Sequence, residues 1–232
     1  MKHYLYPSVL QKETMPILKK KSKNQNVIIR YSSMSGVKLT VLLPTLNQLI
    51  REVVTSESTE ARYVAILCHS AFRCQEYEGF LKELFTFCKD IIEIVDLYSG
   101  DKAENQITLK QALIKPQGED QKQSVKARCK VIISTPPQFL QIVKGKTDGL
   151  LCSSLIVDKI DMHIALDLNK ELVDVAEVIQ AHENLKPTFK TIITTQFKGA
   201  GAEGDEQEAE LKKAFMGENK ALIVQIKEDH RV

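Results

Sequence analysis

Short apolar runs alternate with longer segments of helical spacing along almost the whole chain. Seven runs rich in Val, Ile and Leu predict β-strands at residues 26–30, 63–68, 91–97, 130–134, 154–157, 188–194 and 221–226. The runs are nearly continuous rather than alternating with polar residues, which is typical of strands that helices cover on both faces of a parallel sheet.

The segments between the strands carry apolar residues at helical spacing, most clearly in residues 72–87 and 171–182. The predicted apolar faces consist of Phe80, Leu81, Leu84 and Phe87 in the first helix and of Leu172, Val175, Ala176 and Ile179 in the second. Strands and helices that alternate at this length predict right-handed crossovers and a doubly wound α/β fold, with helices on both faces of a parallel sheet. One domain over residues 1–232 accommodates all seven strands.

Two polar segments interrupt this rhythm. Residues 115–128 contain a Pro and a Gly and predict a surface loop. Residues 198–210 begin Gly-rich and become acidic, which predicts a flexible acidic insertion that leads into a helix near residues 211–216.

Composition and charge limit the function classes only weakly. The chain has 32 basic and 30 acidic residues, a net charge of +2, so its overall charge does not indicate a nucleic-acid binder. Its 5 Cys residues form no C-x-x-C pair, which predicts neither a zinc site nor a disulfide framework and fits a reducing intracellular compartment. No apolar run reaches the ~18 residues of a membrane span, and the first residues lack the shape of a signal peptide. We therefore expect a cytoplasmic protein without membrane contacts.

Several segments carry candidate chemistry in a fixed order. Residues 7–11 read P-S-V-L-Q, residues 31–38 read Y-S-S-M-S-G-V-K, and residues 68–75 read C-H-S-A-F-R-C-Q. Residues 135–140 read T-P-P-Q-F-L, residues 156–161 read I-V-D-K-I-D, and residues 194–196 read T-T-Q. In order and spacing, these segments resemble the motifs of the first RecA-like domain of DEAD-box RNA helicases, and the resemblance covers residues 7–226.

The resemblance implies a degenerate ATP site formed by Gln11, Ser33, Ser35, Gly36, Val37 and Lys38. Gln11 corresponds to the adenine-reading Gln of the family, and Gly36 to the second Gly of its phosphate loop, A-x-T-G-S-G-K-T. Val37 then stands in place of the phosphate-binding Lys, and Lys38 in place of the magnesium-binding Thr. Because a phosphate loop needs that cation and that hydroxyl, we expect no cofactor, with ATP and magnesium as the alternative if the site is only partly degenerate.

A second loss concerns the acidic motif, which reads V-L-D-E-A-D in the family. Asp158 and Asp161 remain, but Lys159 replaces the Glu that orients the attacking water. A cation cannot accept a proton from water, and it repels a metal ion. The resemblance therefore implies no working catalytic residue and no metal.

The resemblance also implies RNA-contacting positions at Gln75, Gly100, Thr135, Pro136 and Gln138. Gln75 is the matched residue of the family pattern P-T-R-E-L-A-x-Q, and Thr135 and Pro136 are the matched residues of T-P-G-R-L. Gln138 replaces the Arg of that motif, which removes a charge-assisted contact to a phosphate.

The residues themselves leave other interpretations open. Gln11 also fits a polar position on a surface turn, and Asp158 and Asp161 also fit solvated or ion-paired carboxylates at strand ends. His69, Arg73 and Lys38 fit either part of a phosphate-binding surface or ordinary polar loop residues.

Taken together, the resemblance predicts a single RecA-like domain that is a fragment of a larger protein and lacks the second RecA-like domain. We predict a catalytically degenerate module that binds RNA, protein or both in RNA metabolism. Degenerate domains of this kind resemble those fused to Tudor domains in germline piRNA silencing, which implies ribonucleoprotein granules as a location. The alternatives are a divergent but active ATP-dependent RNA helicase that uses Lys38 or Lys159, and a pure protein-interaction scaffold.

Overall fold

A seven-stranded parallel sheet organises the part of the chain that the computed structural model describes, residues 7–20, 26–31, 36–56, 61–86, 91–98, 129–143, 150–196, 202–217 and 221–225. The strands are β1 Val27–Tyr31, β2 Ala61–Leu67, β3 Glu93–Asp96, β4 Cys129–Ser134, β5 Leu150–Val157, β6 Lys190–Gln196 and β7 Leu222–Gln225. Their order across the sheet is β3-β4-β2-β5-β6-β1-β7, and each pairing is parallel. The seven predicted strands are thereby confirmed, with shifts of a few residues at their ends.

Helices cover both faces of the sheet. They are α1 Val9–Lys19, α2 Val37–Thr55, α3 Ala71–Leu84, α4 Pro136–Val143, α5 Ile160–Ala165, α6 Asn169–Ala181 and α7 Ala202–Met216, with a 3-10 turn at Glu183–Leu185. Side chains of α1, α2 and α3 pack on one face together with Val64 and Ile66 of β2, and side chains of α4, α6 and α7 pack on the other face with Ala65 and Leu67. The doubly wound α/β class predicted from the sequence is confirmed.

Helix α6 buries the four residues predicted for it, and the described residues of the face predicted for α3 also pack against the core. Of that α3 face, Leu81 is buried, Phe80 and Leu84 are partly buried, and Phe87 lies outside the described residues. The buried side of α3 also includes Arg73, Cys74 and Tyr77. The helix begins at Ala71, where the side chain of Ser70 caps its first turn by accepting the Arg73 N–H at 3.3 Å.

The segment predicted to be a flexible acidic insertion contributes to a helix instead. Helix α7 begins at Ala202, so that residues 202–210 are helical, while residues 198–201 lie outside the described part of the chain. Alanine and glutamate are strong helix formers, and Leu211, Phe215 and Met216 anchor the helix in the core. The predicted loop 115–128 also lies outside the described residues. Among the helices described, none combines the length and the apolar character needed to cross a membrane.

Candidate functional site

The candidate site lies at the edge of the sheet where the parallel strands have their carboxyl ends, the edge at which open α/β sheets bind ligands. The residues that follow β2 and β5 contact each other and the end of β6 there. Gly36, at the start of α2, follows β1 after a short connection. Ser33, Ser35 and Gly100 lie outside the described residues.

Gln11 lies beside Gly36 and forms part of a helix cap. The Ser8 backbone N–H donates to Gln11 Oε1 at 2.9 Å, and the Gln11 N–H donates to Ser8 Oγ at 3.2 Å, which is a reciprocal capping box at the start of α1. Gln11 is buried, and its Nε2 atom would lie 3.0 Å from a Cβ placed on Gly36. The amide is therefore held beside Gly36 at the start of α2 rather than on a surface turn, and its contact with adenine stays a prediction.

Among the described residues at the start of α2, none offers a free cation. Gly36 has a left-handed backbone with φ of 73°, and Val37 immediately after it is buried in the core. The Lys38 Nζ atom lies 3.4 Å from Glu76 Oε1 on α3 and 5.5 Å from the centre of the Tyr77 ring. The charge of Lys38 is thus directed toward α3.

Asp158, directly after β5, is fully buried and has both carboxylate oxygens bonded. Oδ2 accepts the Arg73 Nε–H at 2.6 Å. Oδ1 accepts the Tyr77 hydroxyl at 2.8 Å and the Thr194 hydroxyl at 3.2 Å. The carboxylate is therefore ion-paired, which was one of the interpretations that the sequence left open, and Arg73 does not belong to an exposed phosphate-binding surface.

Burial and the charge of Asp158 set the protonation states of Arg73 and Tyr77, which donate to the carboxylate. Burial opposes the charge of Arg73, but its hydrogen bond and charge attraction to Asp158 raise the pKa of its guanidinium above the ordinary value. Burial, and after it the negative charge of Asp158, raises the pKa of Tyr77 well above the ordinary value. Both side chains therefore remain donors to the carboxylate at neutral pH.

Lys159 and Asp161 connect the ends of β5 and β6. Lys159 has a left-handed backbone with φ of 53°, and its N–H donates to Thr194 Oγ1 at 2.8 Å. Asp161 Oδ1 accepts the Gln196 N–H at 3.0 Å. The side chain of Thr194 thus links Lys159 to Asp158, and the acidic motif is joined to the T-T-Q segment by hydrogen bonds.

Two histidines lie beneath this network. The rings of His69 and His163 meet edge-on with their centres 6.0 Å apart, and His163 Nε2 lies 3.1 Å from the backbone oxygen of Asp158. Burial, and after it the neighbouring His69, lowers the pKa of His163 to about 4. Burial also lowers the pKa of His69.

The lowered pKa of His163 predicts an acid-sensitive fold. Between pH 6.5 and 4 the unfolded chain binds more protons than the folded chain, so stability falls as the pH drops through this window. His163 alone contributes a loss of up to about 3 kcal/mol. Urea unfolding at pH 7.5, 6.5, 5.5 and 4.5 measures the loss.

The variant His163→Gln is the control for this prediction, because glutamine can donate to the Asp158 carbonyl and does not titrate. We expect it to flatten the pH dependence between 6.5 and 4.5. The groups that face His163 are His69 and Asp158. Because the carboxylates of Glu76 and Glu78 also have lowered pKa values, they contribute at the acid end of the window. An equally steep dependence in the variant would show that His163 is not its source.

The candidate RNA-contacting residues lie after the carboxyl end of β4 and on α3. Thr135 precedes α4, which Pro136 begins, and its hydroxyl donates to Gln138 Oε1 at 3.1 Å. Gln138 Nε2 donates to the Tyr98 backbone oxygen at 3.3 Å, and Gln75 is exposed on α3. Thr135 and Gln138 thus bond to the protein itself, and RNA contacts at these positions stay a prediction.

Arg73 and Thr194 were named from the sequence, Arg73 as part of a possible phosphate-binding surface, but their contacts with Asp158 were not predicted. Arg73 stands at the Ala of the pattern P-T-R-E-L-A-x-Q, and this exchange of a small residue for a long cation was the available signal. Tyr77, one turn further along α3, gave no signal of its own. Within the described residues, no group of three or more His, Cys, Asp or Glu side chains is arranged to hold a metal ion.

Comparison with known proteins gives matches among solved structures alone. No model of a protein family matches the sequence, and no curated protein matches it. In contrast, 147 chains of solved structures match. One is a structure of Mss116p bound to single-stranded RNA and AMP-PNP, with a TM-score of 0.69, 15% identity, and coverage of 94% of this chain and 40% of that chain.

Two further matches are also DEAD-box proteins. The yeast DEAD-box splicing factor Prp28 has a TM-score of 0.69 and 13% identity over 97% of this chain and 47% of its own. A DEAD box protein from Methanococcus jannaschii has a TM-score of 0.63 and 12% identity over 95% of this chain and 50% of its own. The chain thus spans half or less of the length of these three proteins. At such identities the likeness establishes the fold, and the chain has the RecA-like α/β fold found in DEAD-box helicases.

Proposed function

We propose that this chain is a RecA-like module that has lost ATP hydrolysis and acts by binding RNA, protein or both in RNA metabolism. The main support for the proposal is the position and burial of Val37. It begins α2 directly after the left-handed Gly36, where a phosphate loop places its lysine, and its apolar side chain is buried in the core. A site with this residue lacks the cation that meets the outer phosphates of ATP.

The replacement cations do not restore the site. Lys38 is paired with Glu76, which competes with any phosphate for its charge. Lys159 stands where hydrolysis requires an acceptor for the proton of water. These two features argue against the alternative of a divergent active helicase.

RNA is the partner that the solved structures suggest, because the Mss116p structure contains single-stranded RNA. The protein-interaction scaffold is the second candidate, and the contacts of Thr135 and Gln138 favour it. These side chains bond to each other and to Tyr98, which leaves them fewer donors for RNA phosphates. A second RecA-like domain, a cytoplasmic or granule location and a role in piRNA silencing belong to the proposal on the sequence resemblance alone.

ATP turnover with and without single-stranded RNA tests the proposal. We expect no magnesium-dependent release of phosphate by the chain, either alone or joined to a second RecA-like domain. Turnover that Lys38→Ala or Lys159→Ala abolishes would establish the divergent helicase instead.

RNA binding measured by fluorescence anisotropy separates the two kinds of partner. If RNA is the partner, affinity falls steeply between about 50 and 200 mM salt, because phosphate contacts release counterions. No binding at low salt would leave the protein-interaction scaffold.

A further inference from the structure

The guanidinium of Arg73 lies against the carboxylate that would hold the metal in an active site of this fold. In nucleoside triphosphatases with a phosphate loop, an Asp that follows a buried strand helps to hold magnesium. Asp158 is the residue at that place here, and its Oδ2 atom accepts the Arg73 Nε–H at 2.6 Å. The side chain of Arg73 is 8% exposed and that of Asp158 is 0% exposed. A positive charge of the protein itself therefore neutralises the carboxylate.

Asp158 does not fit a magnesium ion in this arrangement. Magnesium keeps several waters and near-octahedral oxygen ligands, so its carboxylate ligand needs a free oxygen that faces solvent. Both oxygens of Asp158 already accept hydrogen bonds, from Arg73 on one side and from Tyr77 and Thr194 on the other. A metal would have to displace Arg73 and leave its charge buried, which is unfavourable.

Arg73 is itself held in place by its neighbours. Its Nη1 atom donates to Glu76 Oε2 at 2.9 Å, and Glu76 pairs in turn with Lys38 of α2. Its guanidinium carbon lies 5.1 Å from the centre of the Tyr77 ring, whose hydroxyl reaches the same carboxylate. Charges and hydrogen bonds thus connect α2 and α3 to the end of β5.

We propose that Arg73 is a built-in cation that replaces the metal ion at Asp158 and, together with that carboxylate, holds α3 and the ends of β5 and β6 together without magnesium or nucleotide. The inference rests on the proposed function, in which the domain works without magnesium-ATP, and adds the residue that makes the carboxyl edge independent of both. It follows that removing the Arg73 guanidinium leaves the Asp158 carboxylate without a cation, so that a divalent metal ion can bind there.

Thermal unfolding of the variant Arg73→Met in EDTA, MgCl₂ or MnCl₂ tests the inference. Methionine keeps much of the length of the side chain and removes its charge. We expect the wild-type Tm to be insensitive to these cations. The variant should unfold at a lower temperature in EDTA and recover by about 5 °C once Mn²⁺ is well above its dissociation constant.

Two controls separate the cation effect from packing. The double variant Arg73→Met with Asp158→Asn removes both charges, so it should fold and show no response to Mn²⁺. Arg62, near the start of β2, pairs through Nη1 with Glu52 Oε2 of α2 at 3.3 Å, and Arg62→Met, which breaks this pair, should also give no response. Binding of Mn²⁺ to the single variant, measured by calorimetry, should be lost in the double variant.

Each result of this experiment decides the inference. A single variant that folds only with a divalent cation supports it as fully as a rise in Tm does. A single variant that folds without binding Mn²⁺ overturns it, and so does failure of both variants to fold, since Arg73 would then act through packing. ATP turnover by the wild-type chain would contradict the proposed function, whereas absence of a cation response in Arg73→Met contradicts this inference alone.

Discussion

Replacing Asp158 with alanine is expected to lower the free energy of unfolding by about 3–5 kcal/mol, because one member of a buried ion pair is removed and the other keeps its charge. Arg73 would lose the partner of its Nε–H, and the Tyr77 and Thr194 hydroxyls would lose their shared acceptor. Urea unfolding at pH 7.5 measures the loss.

Two matched variants define what this result means. Asp158→Asn retains one carbonyl oxygen as an acceptor but loses the negative charge, so its loss of stability tests the charge itself. Glu177→Ala removes a carboxylate from the exposed side of α6 and should stay within about 0.5 kcal/mol of the wild type. If Asp158→Ala costs no more than the Glu177 variant, Asp158 does not hold the carboxyl edge together.

Gly36→Ala should destabilise the fold by about 1–3 kcal/mol. The residue has φ of 73°, a conformation in which a Cβ is strained. An added Cβ would also lie 3.0 Å from Gln11 Nε2, and Gln11 is fixed by its capping box with Ser8. The change therefore strains the backbone at the start of α2 and presses on the start of α1.

Gly79→Ala makes the same chemical change but should stabilise the fold. Gly79 lies within α3, and apart from its chain neighbours and the nearby backbone of the helix, no atom comes within 4 Å of a Cβ placed there. Alanine is the better helix former, so this variant should gain about 0.5–1 kcal/mol. Denaturation of the two variants side by side checks the account, and a gain at Gly36 would show that the turn before α2 tolerates a side chain.

The sheet could be predicted from the sequence because its strands are buried on both faces. A run such as residues 63–68 is continuous in apolar residues, and a parallel strand beneath helices requires this pattern. The face of α6 was also predictable, because each of its buried residues is apolar. The start of α7 could not be predicted, because a Gly-rich acidic segment by itself indicates a loop. The helix is stabilised by the packing of Leu211 and Phe215 in the core, which the local pattern does not show.

The position of the candidate site could be predicted from the sequence, but the contacts between its residues could not. The sequence put Gly36 shortly after the first predicted strand and Asp158 directly after the fifth, and the structure has both residues beyond the carboxyl ends of those strands. The ion pair of Asp158 joins residues 85 positions apart, and apolar periodicity does not count an arginine as buried. The role of Gln11 in the cap was readable, since Ser8-x-x-Gln11 is the signature of a capping box.

Calorimetric titration of the chain with ATP and ADP, with and without magnesium, measures directly whether the site at the start of α2 binds nucleotide. We expect no heat of binding at millimolar nucleotide in either condition, because Val37 supplies no cation and Asp158 is engaged by Arg73. Binding of ATP that strengthens when magnesium is added would contradict this expectation, since the site would then hold the metal that Arg73 is proposed to replace.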